Sequence, residues 1–240
     1  MITYKILSLL LCYPQSEIQA NMDELEEALG QEGALRGRAL KKLLVFLEDY
    51  RSRPLLDLQA DYVEIFDRGR AHSLHIFEHV HGESRFRGSA MVDLADLYAR
   101  AGFETEGGEL PDFLPLFLEF LSTQPPGEAQ TMLRDVQHIT AVIGAKLKKR
   151  RSPWVAMFDA IEALAGQKIK PEILAKALED SAKEITTLDE LDKEWEDSPA
   201  FDGDPMDACN GCSLASAHGK ITDPSSRSQI HPQPDHGRPT

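Results

Sequence analysis

The sequence predicts an all-α fold, a single-domain helical bundle with a disordered C-terminal tail, and three observations lead there. Apolar residues recur at three- and four-residue spacing in one segment after another. Pro and Gly fall between these segments, where they punctuate helices and do not interrupt them. No segment shows sustained alternation of polar and β-branched residues, the mark of a half-buried strand. A chain of 240 residues can bury one substantial core. The bundle is assigned to residues 1–195 and the flexible tail, rich in Pro, Gly and Asp, to 196–240.

Each element has its own justification. Ile2, Ile6, Leu7, Leu9 and Leu10 form the face of a first helix that ends at Tyr13-Pro14, because a residue before Pro avoids the helical region. Ser16 is placed as the N-cap of a second helix reaching Leu29, with Gly30 as its stop. Leu40, Leu43, Leu44 and Leu47 make one face of a third helix from Leu35 to Tyr50. Pro54 opens a fourth, to Phe66, and Gly69 breaks the chain after it. Ser73 to His79 has room only for a short helical turn before Gly82. Ser84 then caps a long segment to Ala101, which Gly102 terminates, and an acidic, Gly-rich loop covers Phe103 to Leu110.

Pro111 is taken as the start of a helix with Leu114, Phe117, Leu118 and Leu121 at i, i+3, i+4 and i+7. After Pro125-Pro126, one helix is expected through Met132, Val136, Ile139, Val142, Ile143 and Leu147. Lys146, Lys148, Lys149, Arg150 and Arg151 at its end complement the helix dipole. Helices are further expected at Pro153 to Leu164, Pro171 to Leu178 and Leu188 to Trp195, and from about Asp197 large apolar residues nearly vanish.

Charge and length narrow the function classes. Acidic residues outnumber basic ones 40 to 26, a formal charge of -14 that repels phosphate backbones and anionic headgroups and favours a basic partner. No apolar run approaches the roughly 20 residues that cross a bilayer, and the N-terminus lacks a cleavage site, so no direct membrane insertion and a cytoplasmic location are expected. Cys12, Cys209 and Cys212 are too few for a disulfide scaffold, which fits a reducing compartment.

The densest information lies between Tyr62 and Leu97. Phe66, Leu74, Ile76, Phe77, Val80 and Phe86 need apolar cover, while Asp67, Arg68, Arg70, Glu78, His79, His81, Glu83, Arg85 and Arg87 lie between them. Half-buried charges are costly unless paired, so an internal network of acid, Arg and His contacts is expected, holding a bend between helices or lining a groove. His79 and His81 stand two apart, whereas metal ligation from one helical face needs i and i+4, so hydrogen bonding is the simpler reading. Asp112, with Glu109 and Pro111, could form a catalytic acid pair but is more simply a helix start whose carboxylate offsets the dipole. Phe113, Phe117 and Phe120 exceed what one core face of that helix requires. Beside the acidic loop Glu104 to Glu109, they are expected to line a groove for a basic amphipathic helix. Cys209 and Cys212 have the spacing of half a zinc site, with His218 a third ligand if the tail folds back, but the second Cys pair is absent and a lone pair in an acidic tail is structurally neutral, so no metal is assigned. Metal or cofactor handling through these residues is the alternative reading. No nucleophile with an adjacent base and no nucleotide fingerprint occurs.

The runs YVEIFDRGRAHSLHIFEHVHGESRFRGSAMVDL (residues 62–94) and ELPDFLPLFLEFL (109–121) resemble those of NarJ-type nitrate reductase assembly chaperones, part of the wider TorD-like group of all-helical chaperones for molybdoenzymes. The similarity continues more weakly from the N-terminus to about Trp195. It implies a non-catalytic, cytoplasmic chaperone that binds the apo catalytic (alpha) subunit of membrane-bound respiratory nitrate reductase through that subunit's N-terminal segment. It also implies assistance to insertion of a molybdenum bis-guanylate pterin cofactor in the partner, with no cofactor held stably by the chaperone. Carried onto this chain are Asp67, Arg68, Arg70, Glu78, His79, His81, Glu83, Arg85 and Arg87 from the first run, and Glu109, Pro111, Asp112 and Pro115 from the second, with Phe117 added from the aromatic stripe. Many members of the wider group have His after the Asp matched by Asp112. Phe113 stands there in this chain, so no role of that His is carried over.

Overall fold

The computed structural model describes residues 1–81, 85–105 and 108–181. The expected helix at Leu188 to Trp195, the tail with Cys209, Cys212 and His218, and the proposed Ser84 cap lie outside the described residues. Among those that are described, the secondary structure is helical throughout, with one isolated antiparallel bridge between His75 and Phe113.

Three helices are apolar nearly all round, and they sit at the centre for that reason. Helix α1 (Ile2–Leu11) buries Tyr4, Ile6, Leu7, Leu10 and Leu11. It lies along α8 (Leu114–Thr123), which buries Leu114, Phe117, Leu118, Phe120 and Leu121. The third, α11 (Val155–Ala165), packs against α4 (Gly37–Ser52), α9 (Pro126–Asp135) and α10 (Gln137–Lys149). Close approach of α10 and α11 rests on Gly144, where a Cβ would stand 2.9 Å from that of Phe158. Trp154, just ahead of α11, is fully buried, and its ring meets Phe46 and Phe66 at centroid distances of 5.1 and 5.3 Å.

Several boundaries differ from those expected, each for a tertiary reason. The second helix is two: α2 (Ser16–Ala20) and α3 (Met22–Glu32). Gln19 Nε2 donates to the carbonyls of Tyr50 (2.9 Å) and Arg53 (2.7 Å), which fixes α2 against the end of α4 and turns the chain at Asn21. Ser16 makes no capping bond to the backbone, and Gly30 lies inside α3, which ends at Gly33 in the left-handed region (φ 63°). The extra turn brings Glu32 to the start of α1, where its carboxylate accepts the N–H groups of Ile2 and Thr3, both at 2.8 Å, and caps that helix.

The fourth helix is α5 (Leu55–Tyr62) continued by a π-helical turn, Val63–Asp67, and then a 3₁₀ turn at Arg70–His72. Residues 73–77 are not helical, because Ile76 N–H donates to Asp112 O (2.9 Å) and Leu114 N–H to Leu74 O (2.8 Å). The same pairing delays α8 to Leu114, so Pro111 does not open it. Short α6 (Glu78–His81) and long α7 (Arg85–Arg100) follow the 73–77 segment. The single helix expected across Met132 to Leu147 is divided at Val136 into α9 and α10. Arg134 Nε donates to Ala165 O (2.8 Å) and Gln137 Nε2 to Gln167 O, so both flanks of the break are tied to the end of α11. Helix α12 (Pro171–Ser181) packs on α10. No helix among the described residues is long and apolar enough to cross a membrane.

Candidate functional site

The first feature is a clasp built on a buried carboxylate. Asp112 is 0% exposed, and its side chain meets three separate parts of the chain. Oδ1 is 3.2 Å from His75 Nδ1. Oδ2 accepts from the Phe77 N–H at 3.2 Å and from Arg87 Nη2 at 3.4 Å. Arg87 also donates Nη1 to Glu78 at 3.1 Å. The 73–77 segment, the start of α7 and the entry to α8 are thereby joined through one group. His79 Nε2 bonds the Ser73 carbonyl at 2.8 Å, and the His75 ring stacks on Phe113 at 5.4 Å.

Charge balance explains why Asp112 can be buried. Burial alone would push its carboxyl up, but the His75 hydrogen bond, the charges of His75 and Arg87 and the Phe77 N–H together hold it below the ordinary carboxylate range. The hydrogen bond to Asp112 outweighs burial at His75 and raises its imidazole above the usual value. Three residues earlier the balance reverses. Burial, reinforced by the charges of Lys146, Arg150 and His79, pulls His72 down to about 4.

The second feature is a groove of about 530 Å³ beside the clasp. Ala95, Ala99 and Gly102 form its narrow wall on and just after α7, Tyr98 and Phe103 its aromatic side, and Glu104, Thr105 and Pro111 its rim. Tyr98 O–H donates to Pro111 O at 2.9 Å. Phe103 stands edge-on to Tyr98 and to Phe120, both at 5.5 Å, so the groove rests directly on the core. The rim residue Pro111 adjoins Asp112 in sequence, which couples groove and clasp through the backbone.

Sequence-predicted residues distribute unevenly over these features. Glu78, Arg87 and Asp112 come together in the clasp, with His79 at its edge. Asp112 is therefore not a carboxylate at a helix start, and its fixed partners His75 and Arg87 leave it no catalytic acid pairing with the exposed Glu109. Asp67 and Glu109, 42 positions apart in sequence, are both at the surface. Arg68 and Arg70 are exposed. Pro115, Phe117 and Phe120 are buried in the core, and Phe113 is half-buried against His75. The aromatics of α8 thus do not line the groove, whose aromatic side comes from α7 and the loop after it. The side chains of His81, Glu83 and Arg85 lie outside the description. Among the described residues no three His, Cys, Asp or Glu side chains gather as a metal site.

Sequence reasoning passed over His75, Tyr98 and Phe103. One signal was present for His75: in Ser73-Leu74-His75-Ile76-Phe77, buried Leu74 and Ile76 alternate with half-buried His75 and Phe77, a period of two. The imidazole beside Asp112 is supplied through space by residue 75, not by the residue that follows Asp112.

Comparison with known proteins gives a consistent result. Residues 15–160 match the model of the family described as nitrate reductase delta subunit. The chain is 41% identical over 216 residues, 88% of either chain, to the probable nitrate reductase molybdenum cofactor assembly chaperone NarW of Escherichia coli strain K12. It is 42% identical over 197 residues to the nitrate reductase molybdenum cofactor assembly chaperone NarJ of the same strain, covering 82% of this chain and 83% of that one. To the probable assembly chaperone NarJ of Bacillus subtilis strain 168 it is 30% identical over 162 residues, 68% of this chain and 87% of the relative.

Proposed function

Because this chain belongs to the nitrate reductase delta subunit family, we propose that it is a dedicated assembly chaperone for a nitrate reductase, acting in the cytoplasm and without catalysis of its own. Identity of 41–42% across more than four fifths of both partners, to proteins named for molybdenum cofactor assembly, is the observation that carries this reading. In it, the chain holds the apo catalytic subunit by its N-terminal segment and releases it after cofactor insertion and before membrane attachment. The cofactor passes to the partner and is not retained.

The groove beside α7 is the place proposed for that segment. Its aromatic side suits one bulky apolar side chain of an amphipathic helix. Glu104 on the rim and Glu109 nearby suit the basic residues that flank it. The clasp acts indirectly: Asp112, Arg87 and Glu78 hold the segment that carries Pro111.

Calorimetric titration with the N-terminal peptide of the catalytic subunit tests the reading. Saturable binding at one site per chain is expected, together with co-purification of the apo large subunit that is lost when the holoenzyme matures. A peptide that produces no heat between pH 6 and 8, with no capture of the large subunit, overturns it.

A further inference from the structure

A second pocket, on residues unrelated to the groove or the clasp, carries an independent inference. It has a volume of about 510 Å³ and lies between α4, the end of α10 and the end of α11. Four cationic side chains from three elements line it: Arg38 and Lys42 from α4, Lys148 from α10 and Lys168 after α11. The carboxylates in its lining are Asp159 and Glu162. Lys42 is paired with Asp159. The side chains of Arg38, Lys148 and Lys168 make no hydrogen bond or ion pair among the described residues.

The simplest alternative is that these cations offset the negative ends of α10 and α11. The backbone bonding argues against it. At the end of α11, the carbonyls of Leu164, Ala165 and Gln167 already accept side-chain donors from Gln130, Arg134 and Gln137. At the end of α10, the carbonyls of Lys146, Leu147 and Lys148 accept the N–H groups of Arg150, Ser152 and Arg151. Arg38, Lys148 and Lys168 are exposed at this concavity, where an anion would gain charge-assisted hydrogen bonds from several of them at once. The net charge of -14 makes this local excess of positive charge stand out from the rest of the molecule.

We propose that this pocket binds a small molecule bearing two adjacent phosphate groups. Cations supplied by three separate elements can each meet a different oxygen of a diphosphate, whose oxygens face outward all round. A lone carboxylate presents a single plane.

The test is calorimetry on the full chain at low salt with inorganic pyrophosphate, with orthophosphate and a Glu-rich peptide in parallel. Pyrophosphate is expected to bind one site per chain, more tightly than orthophosphate. Replacing both Lys148→Gln and Lys168→Gln should weaken it about tenfold or more, the scale of losing one or two charge-assisted bonds. Glu162→Gln should tighten it severalfold, a change of opposite sign that loss of folding cannot mimic. Absence of saturable pyrophosphate binding, indifference to both variants, or preference for the Glu-rich peptide overturns the proposal.

Discussion

At the scale of single residues, Asp112 is the position where a small change has the largest expected effect. Removing one partner of a buried, hydrogen-bonded ion pair leaves the other charge uncompensated, so Asp112→Ala should lower unfolding stability by about 3 kcal/mol in urea denaturation. Asp112→Asn, which keeps the shape and can still accept the Phe77 N–H, should cost less. Two histidines pull stability in opposite directions with pH. His75 is raised in the fold, so its contribution is complete below the unfolded value of about 6.5 and fades as pH rises through its higher folded value. His72 is lowered to about 4, so the stability of its neutral state is present above about 6.5 and is lost as pH falls towards 4. Urea midpoints measured against pH should therefore lose part of their alkaline decline in His75→Gln and part of their acid decline in His72→Gln. If both variants kept the parent profile, neither ring would be linked to folding. The need for a paired network between Tyr62 and Leu97 was readable, because large apolar groups and charges alternate there too closely to be sorted onto separate faces. The identity of its centre was not. Pro111-Asp112 ahead of an apolar run reads as a helix start, and only the long-range pairing of residues 74–76 with 112–114 makes the carboxylate a buried hub.

At the scale of elements, two glycines inside helices should respond to alanine with opposite signs. Gly144 lies where α10 crosses α11, and a Cβ there would be 2.9 Å from Phe158 Cβ, backbone-proximal atoms that cannot swing aside. Gly144→Ala gains about 1 kcal/mol of helix propensity but forces the helices apart at a cost of about 1–3 kcal/mol, so a lowered Tm is expected. Gly30 is exposed inside α3 with nothing within 4 Å of its added Cβ, so Gly30→Ala should stabilise by about 0.5–1 kcal/mol. Thermal unfolding of the pair is a direct check that α3 runs through Gly30. The helices themselves were legible from periodicity, but their ends were less so. Breaks at Asn21 and Val136 have no Pro or Gly to announce them. They are made by Gln19, Arg134 and Gln137, whose side chains reach carbonyls of helices distant in sequence. Such partners leave no local signal.

At the scale of the whole molecule, the acidic surface and the apolar groove should govern different stages of peptide capture. A chain of net charge -14 attracts a basic segment over a distance that salt shortens, which acts on the rate of encounter. On the proposed reading the groove acts after contact, when an apolar side chain of the segment settles against Phe103. Acidity and a helical bundle were apparent from composition and pattern, and so was the acidic loop at the groove's rim. Core and groove roles for Phe117 and Phe120 were not separable in sequence, because the same spacing serves whether they face the core or a ligand. Phe117 and Phe120 are buried, as Tyr98 is, whereas Phe103 is half-buried at the groove, so it is the aromatic residue there that an incoming side chain can reach. In stopped-flow binding of the N-terminal peptide, Glu104→Gln combined with Glu109→Gln should slow association and flatten its salt dependence, with dissociation little changed. Phe103→Ala should leave association near the parent rate and speed dissociation about tenfold, the effect of losing 1–2 kcal/mol of apolar contact. Phe117→Ala is the contrasting case: it hollows the core at α8, so it should cost about 3–5 kcal/mol of stability. At temperatures where the variant remains folded, its dissociation rate should stay close to the parent's. Equal effects of Phe103→Ala and Phe117→Ala on dissociation would place the peptide elsewhere on the bundle.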